Sequence, residues 1–567
     1  MLFEQELELV LKRAAMLAFG EVELKPLVLQ KSSNLKFGDF QTNFAMVNSK
    51  VVGGNPRDIA IQLIENIQEN ELIEKCEIAG PGFINIFIKT SAIENFLKNM
   101  SPEKQDFSFL NREGDIIIDY SSPNIAKQMH IGHLRSTVIG DSIKRMYNFL
   151  GYHTVADNHI GDWGTQFGKL IVAYHKWLDR ENYVRSPIEE LERLYVLFSQ
   201  TSESEPELEE QARYELKKLQ EGDEYNTKLW KEFIEISLQE YGKVYSRLGI
   251  SFDTFYGESF YNDKMPGVVT TLLEKKIASM DDGTTIVFFE NDELPPCIVR
   301  KKDGAFLYAT SDLACIEFRR AHYNVNRMIY VTDDRQQNHF KQFFKISELL
   351  GWNDQKEHVY FGIMKFADGI FSSRKGNVIK LMDLLDESVK RARAVIEEKN
   401  PTLPEAEKDS IAEVVGTGAI KYFDLSQNKT SNIIFDWEKV LSFEGNTSPY
   451  IQYTYARIQS ITRKAGLSRE EISNSKVIFE EQIERDIAIQ MLYFYQEVIR
   501  ASESYKPNII ADFIYELAKK INSLYNASPV LTAEESLKRS KLFILNSACD
   551  VLALGLELLG IGVLERM

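Results

Sequence analysis

The sequence predicts an α/β protein. Its catalytic domain is built on a doubly wound parallel sheet broken by a helical insertion, with an N-terminal α/β domain ahead of it and a C-terminal all-α bundle behind. Three observations carry this. From residue 115 short apolar runs alternate with helical periodicity, the strand–helix–strand order of a parallel sheet. A long polar helical stretch, about Lys176 to Leu248, interrupts that order. After Pro404 the pattern is almost wholly helical to Met567. At 567 residues the chain is too long for one core and corresponds to about three to four domains.

Residues 1–105 form the first unit. Glu4–Phe19 and Asp58–Glu69 have helical periodicity, with Pro56 near the favoured first-turn position. The turn Gly80-Pro81-Gly82 leads into a strand, Phe83–Ile88, and Ser101–Asp106 serves as a linker. The catalytic domain spans 112–400. Asp115–Tyr120 is a buried strand, a periodic run to Leu150 is a helix, and Tyr152–Asn158 is a second strand before the glycine-bearing loop His159–Gly168. An insertion occupies about 176–310. It contains the acidic loop Thr201–Glu207 and short strands at Thr284–Phe289, Cys297–Arg300 and Ala305–Tyr308 around the turn Asp303-Gly304. Thr310 and Ser311 are expected to cap the next helix. Met328–Val331 and His358–Gly362 resume the sheet around a helix at Phe340–Leu350, and Val378–Lys399 is helical. Residues 401–445 form a helical connector, and Asn446-Thr447-Ser448-Pro449 starts the bundle, 446–567.

The net charge of −17 excludes a protein held to nucleic acid by bulk charge. It leaves local patches, such as Arg319-Arg320, Lys390–Arg393 and Arg457 with Arg463-Lys464, any of which is equally a solvated helix face. Cys76, Cys297, Cys315 and Cys549 form no C-x-x-C pair, so no structural zinc is expected, and unpaired cysteines suit a reducing cytoplasm. The start of the chain lacks a basic region followed by an apolar one, and the apolar run Val551–Leu564 is short and contains Glu557. No membrane association is expected.

Two motifs carry chemistry. The first, His130-Ile131-Gly132-His133, sits where a strand runs into a helix. Histidines three apart share a helix face, Gly132 leaves room for a flat ligand at the backbone, and a helix start suits polyphosphate. The alternatives are a metal pair, for which no further ligands lie close by in sequence, or two solvated histidines. The second is Phe371-Ser372-Ser373-Arg374-Lys375-Gly376-Asn377, whose hydroxyls, cations and glycine suit a triphosphate. Alone it is equally a surface turn.

Together, H-x-G-H after the first strand, an insertion, and a basic loop after the last strand resemble a class I aminoacyl-tRNA synthetase, with its Rossmann-type catalytic sheet. Within that class the chain resembles the arginyl-tRNA synthetases. The resemblance rests on Ser121-Ser122-Pro123-Asn124-Ile125-Ala126-Lys127 running into His130–Thr137, on Gly161–Gly168, on Tyr308–Ala314, on Tyr450–Ile458 and on the ending Leu564–Met567. Phe37–Asn43 resembles the family's extra N-terminal domain, which contacts the tRNA elbow. One departure stands out. The usual class I loop, K-M-S-K-S, has a lysine where this chain has Ser373, and the resemblance assigns the replacement cation to Lys127.

The reaction implied is ATP plus L-arginine giving arginyl-adenylate and pyrophosphate, then transfer to the 3′ end of tRNA(Arg) with release of AMP. Catalysis of this kind is positioning and charge stabilisation, without a covalent enzyme intermediate. The resemblance makes His130, His133, Lys127 and Lys375 catalytic, and adds Gly132, Ser372, Ser373 and Arg374 as ATP contacts. Magnesium is expected with ATP, with no protein ligand named. A guanidinium is held best by carboxylates, and Asp119 and Asp312 stand in family-matching places. Ser122, Asn124, His133, Tyr308 and Gln336, or its neighbour Gln337, complete the expected arginine pocket. Phe37, Asn43, Tyr453, Arg457 and Met567 are the expected tRNA contacts. Tyr450, Tyr453 and Tyr455 cannot all share one helix face. A cytoplasmic monomer is the expected form. Two other readings are a catalytically silent tRNA-binding paralogue and a nucleotidyltransferase acting on a small substrate.

Overall fold

The computed structural model describes residues 2–32, 35–290, 293–366 and 379–567. The basic loop with Ser372, Ser373, Arg374 and Lys375 lies outside the described residues.

The N-terminal unit packs α1 (Phe3–Phe19), α2 (Phe44–Val52), α3 (Pro56–Glu65) and α4 (Thr90–Lys98) against an antiparallel sheet of β1 (Leu29–Lys31), β2 (Phe40–Thr42), β3 (Ile73–Ala79) and β4 (Phe83–Ile88), in the order β1-β2-β4-β3. Pro56 occupies the first turn of α3, and the Asn55 side chain accepts the Arg57 amide hydrogen.

The central sheet contains β5 (Asp115–Asp119), β6 (His153–Asp157), β10 (Val325–Tyr330) and β11 (Gln355–His358), all parallel, in the order β11-β10-β5-β6. The chain leaves β5 to one side for β6 and returns on the other side for β10. Their carboxyl ends therefore flank a crevice at the switch point, where such sheets bind ligands. Helix α5 (Ile131–Phe149) crosses from β5 to β6. A Cβ on Gly140 would lie 2.3 Å from Tyr120 Cγ, so glycine lets α5 settle onto the end of β5.

Between β6 and β10 come α6 (Thr165–Trp177), α7 (Arg180–Arg185), α8 (Pro187–Thr201), α9 (Glu207–Gln220), α10 (Glu224–Leu248) and α11 (Met265–Glu274). An antiparallel sheet of β7 (Ser279–Asp281), β8 (Thr284–Val287) and β9 (Cys297–Arg300) follows, then α12 (Tyr308–His322). Helix α13 (Gln337–Leu349) links β10 to β11. Beyond them, β12 (Met364–Phe366) pairs in parallel with β13 (Ile433–Phe435), which follows α14 (Leu381–Lys399) and α15 (Glu405–Leu425). A short helix, α16 (Trp437–Val440), precedes the bundle, which contains α17 (Ser448–Ala465), α18 (Arg469–Ser473), α19 (Gln482–Leu492), α20 (Phe494–Glu503), α21 (Asn508–Ala527) and α22 (Glu535–Leu558).

Three expectations are corrected. Ala305–Tyr308 is not a strand: a single bridge, Arg300 to Phe306, precedes α12, and Tyr308 is already helical. Thr310 and Ser311 are not caps. Leu307 holds that position, while the Thr310 hydroxyl donates to the Val299 carbonyl and pins α12 to β9. The last sheet strand covers Gln355–His358 rather than His358–Gly362, because Gly362 turns away and donates its amide hydrogen to Lys429 O.

Helix α5 ties the crevice to the rest of the molecule. Buried Arg135 donates to Asp424 Oδ2 (3.0 Å) and to the carbonyls of Gly362 (2.6 Å) and Ser431 (3.0 Å). Ser142 Oγ donates to the carbonyl of Leu558 (2.9 Å), and Lys421 Nζ to those of Gly560 (2.6 Å) and Leu248. The N-terminal unit docks on the bundle through buried Asp39, which accepts two hydrogen bonds from Arg485 (3.0 and 2.6 Å), and through Phe40 stacked on Tyr493. No helix among the described residues is long and apolar enough to cross a membrane, and all four cysteines are free.

Candidate active site and nucleic-acid cleft

The segment joining β5 to α5 is strained. Ser121 (φ +75°), Ser122 (φ +47°) and Ala126 (φ +63°) lie in the left-handed region, half of the six described non-glycine residues with positive φ. Such strain is held only where surroundings over-determine it. Here they do. Tyr241 OH on α10 is shared between the carbonyls of Asn124 (2.6 Å) and Lys127 (2.9 Å), Ser237 Oγ accepts the Ala126 amide hydrogen, and Ser136 Oγ that of Ser121.

His130 is the N-cap of α5 rather than a residue on its face. Its Nδ1 accepts the Gly132 amide hydrogen, and His133 Nδ1 accepts the His130 amide hydrogen, both at 3.0 Å. The two rings, 3.9 Å apart, thus cap the helix reciprocally. Because each Nδ1 accepts, each neutral ring carries its proton on Nε2. Burial and the Lys127 charge lower His130 to about 4; burial and the neighbouring His130 lower His133 to about 3. The site therefore presents two neutral N–H donors near pH 7. Gly132 also serves the cap itself. A Cβ there would meet His130 Cε1 at 2.7 Å, so the glycine first accommodates the capping imidazole.

Lys127 lies close enough to lower both histidines. Its ammonium sits 4.6 Å from the Tyr195 ring centre, half-buried, and burial lowers its pKa against the pull of Glu192.

At the carboxyl end of β5, buried Asp119 meets an internal guanidinium. Arg319 Nη2 donates to Asp119 Oδ2 (2.6 Å) and Asp157 Oδ2 (2.7 Å). Ser122 Oγ donates to Asp119 Oδ1 (3.3 Å). Burial pushes the Asp119 carboxyl up, opposed by Arg319 and His159. Asp119, Asp157 and His159 are the one described cluster of three groups with metal-ligating spacing. The Arg319 charge already bridges its two carboxylates, so a dication does not fit there.

His159 is half-buried, and its solvent-shielded Nδ1 has no hydrogen-bond partner. Burial lowers its pKa, but Asp119, Asp312 and Asp157 more than offset this and raise it overall. Asp312 on α12 pairs with His339 Nε2. Tyr308, 70% exposed, opens α12. Asn124 and Gln336 are exposed and Gln337 is half-buried. A Cβ on Gly161 would meet Asn124 Oδ1 at 2.1 Å, so that glycine makes room for the amide.

A further acid stands here that the motifs did not reveal. Burial pushes the Glu258 carboxyl up to about 7, with Asp312 and Asp162 adding to the rise and His159 opposing it. Its charge also acts on Tyr308. Asp162, from the glycine-bearing loop, holds the turn that carries it, accepting from Ser259 N (2.8 Å) and Oγ (2.6 Å). Glu258 opens a single 3-10 turn, Glu258–Tyr261, between α10 and α11, and this turn brings it to the other acids.

A second concavity, of about 650 Å³, opens on the bundle between Asn400, α17, α21 and the C-terminus. Arg457 lies between the rings of Tyr453 (4.7 Å) and Tyr525 (4.8 Å), and Arg463, Lys464, Arg566 and Met567 complete the wall. Tyr455 is buried and Tyr450 half-buried. Tyr525 escaped sequence reasoning because it lies on α21. Phe37 (55% exposed) and Asn43, the uncapping N-terminal neighbour of α2, lie on the separate N-terminal unit.

Three family models match the chain: the catalytic domain of class I (R) tRNA synthetases over residues 96–437, the DALR anticodon binding domain over 451–567, and the arginyl tRNA synthetase N terminal domain over 2–88. An arginine–tRNA ligase of Fusobacterium nucleatum is 59% identical over 551 residues, covering 97% of each chain. That of Photobacterium profundum is 39% identical over 564 residues, covering 98% of each. The crystal structure of arginyl-tRNA synthetase from Plasmodium falciparum superposes with a TM-score of 0.83 at 29% identity over 99% of both chains. The Thermus thermophilus arginyl-tRNA synthetase gives 0.83 at 25% over the whole of both.

Proposed function

The chain belongs to the arginyl-tRNA synthetase family and is an arginine–tRNA ligase using ATP, and from that premise we propose how its residues divide the work. In the first step an arginine carboxylate oxygen attacks the α-phosphorus of ATP, the bond to the β-phosphate oxygen breaks, and pyrophosphate leaves. The Nε2–H groups of His130 and His133 donate to the phosphate oxygens as charge accumulates there. Being neutral, they add hydrogen-bond donors without requiring a proton to be moved. Lys127 supplies the cation at the same end, with Ser372, Ser373, Arg374 and Lys375 contributing from the basic loop. Magnesium enters with the triphosphate. In the second step a ribose hydroxyl at the 3′ end of the tRNA attacks the arginyl carbonyl carbon, and AMP leaves.

Asp312 and Glu258 receive the substrate guanidinium, with Tyr308 at the mouth. Asp119, oriented by Arg319, faces the pocket with Oδ1, and Ser122, Asn124, His133 and Gln336 serve the α-amino and carboxylate end. The observation that carries this assignment is the convergence on His159 of buried Asp119 from β5, half-buried Asp312 from α12 and half-buried Glu258 from its turn. A lysine substrate is rejected because its point charge leaves part of that acceptor set unpaired. The bundle cleft takes an unstacked tRNA base between Tyr453, Tyr525 and Arg457, with Met567 on its wall. Residues 1–105, including Phe37 and Asn43, contact the elbow, 446–567 read the anticodon, and the enzyme acts as a cytoplasmic monomer.

The test is charging of total tRNA with each radiolabelled amino acid. Arginine alone is expected to be incorporated, with tRNA-dependent pyrophosphate exchange. Binding of tRNA without charging would favour a silent paralogue. Exchange that persists without tRNA after deletion of 446–567 would favour a small-substrate nucleotidyltransferase.

A further inference from the structure

The insertion does more than separate the halves of the sheet. Along α8, Glu189, Glu192 and Tyr195 recur every third residue and face the strained segment at the start of α5. Tyr195 places its ring face 4.6 Å from Lys127 Nζ. Glu192 faces both Lys127 and the Gln128 amide. Glu189 Oε1 accepts from Lys380 Nζ (2.9 Å) and from Gln128 Nε2 (3.4 Å). Lys380 belongs to a short backbone ladder against the histidine cap: Ile131 donates to Ile379 O (3.2 Å), and Leu381 donates to Met129 O (2.8 Å). One ridge of α8 therefore touches the cation beside His130 and the chain segment paired to that cap. From below, Tyr241 and Ser237 on α10 hold the backbone of 124–127. A long lysine side chain is flexible, and holding its ammonium over a ring face both orients it and leaves its charge unneutralised by a direct carboxylate bond.

We propose that Tyr195 is a positioning residue for the adenylation step: with Glu192 and Glu189 it forms a ridge that holds Lys127 at the phosphate end of the site. This rests on the assignment of Lys127 to that end. The test is tRNA-dependent pyrophosphate exchange on the full chain, with kcat and KM for ATP and arginine measured separately for Tyr195→Met, Tyr195→Phe, Glu192→Gln, Lys127→Met and the doubles of each with Lys127→Met. Loss of a partly desolvated cation–ring contact is expected to lower kcat/KM for ATP about tenfold in Tyr195→Met, while Tyr195→Phe, which keeps the ring, stays within about twofold. KM for arginine, tRNA affinity and the melting temperature stay at the parent values. In the Lys127→Met background the Tyr195 and Glu192 substitutions add nothing. Equal losses with and without Lys127, a phenylalanine as damaging as methionine, or equal effects on ATP and arginine overturn the proposal. Should Tyr195→Met melt early, Glu192→Gln carries the same comparison, and additivity with Lys127→Met overturns it there. Full activity of Lys127→Met would remove Lys127 from the site, and the ridge's role with it. Loss in Lys127→Met without coupling to α8 removes the ridge alone.

Discussion

Glu258→Gln keeps the shape of the pocket and removes one charge. Partial burial, with the charges of Asp312 and Asp162 adding to it and His159 opposing, pushes this carboxyl up to about 7. A guanidinium prefers the ionised form, so it must expel a proton wherever Glu258 is protonated. The sign follows: above pH 7 the carboxylate is ready, and as pH falls below about 7 arginine affinity falls, by up to about tenfold per pH unit for one proton. His159 faces the same space, with its own pKa raised by Asp119, Asp312 and Asp157. Its protonation at lower pH repels the substrate and works in the same direction. A hydrogen bond to a charged group contributes about 1.5–3 kcal/mol, so Glu258→Gln should weaken arginine roughly ten- to hundredfold near pH 8. Calorimetry of arginine binding in buffers of different ionisation enthalpy counts the protons released. The parent should release a fraction of a proton near pH 7 and the variant less, with a flatter pH profile and an unchanged KM for ATP. An arginine affinity within twofold of the parent, or an unaltered proton count, would refute the placement of Glu258 in the pocket.

Other consequences are as direct. His130→Asn keeps a good N-cap but loses the Nε2 donor, so melting should hold while kcat for pyrophosphate exchange falls about 10²–10³-fold; His130→Ala should lose in addition about 1 kcal/mol of stability. Arg135→Met strands buried Asp424 and two carbonyls, which should cost about 3–5 kcal/mol in denaturant unfolding, much of it regained by Arg135→Met with Asp424→Leu. Tyr525→Ala should raise KM for tRNA by the equivalent of about 1–3 kcal/mol of lost stacking while leaving KM for arginine unchanged in charging assays.

Much of the site was legible because its parts are contiguous. The run from Asp119 to His133 contains a strand end, a strained turn and a helix cap, all local structures dictated by neighbouring residues. Its assignment to a guanidinium came from resemblance to a family, not from periodicity. Less legible was how the two histidines are used. A spacing of three suits a shared helix face, yet the helix starts one residue later and turns both imidazoles into caps. The expected caps at Thr310 and Ser311 failed for a related reason: a hydroxyl near a helix start has other acceptors, and the Val299 carbonyl, eleven residues away, took the Thr310 hydroxyl.

By itself the sequence determined the α/β order, the helical end of the chain, the histidine pair with its lysine, and an acid at the end of the first sheet strand. The order of elements and the histidine pair follow from periodicity and short-range chemistry; the lysine and the acid were singled out by resemblance to the family. Tertiary structure alone decided that Arg319 occupies one oxygen of Asp119, that Glu258 joins Asp312, that Tyr525 closes on Arg457, and that α8 lies against Lys127. Each of these pairs residues more than 50 positions apart in the chain. Their approach depends on how separate elements pack, and neither spacing nor local propensity encodes it.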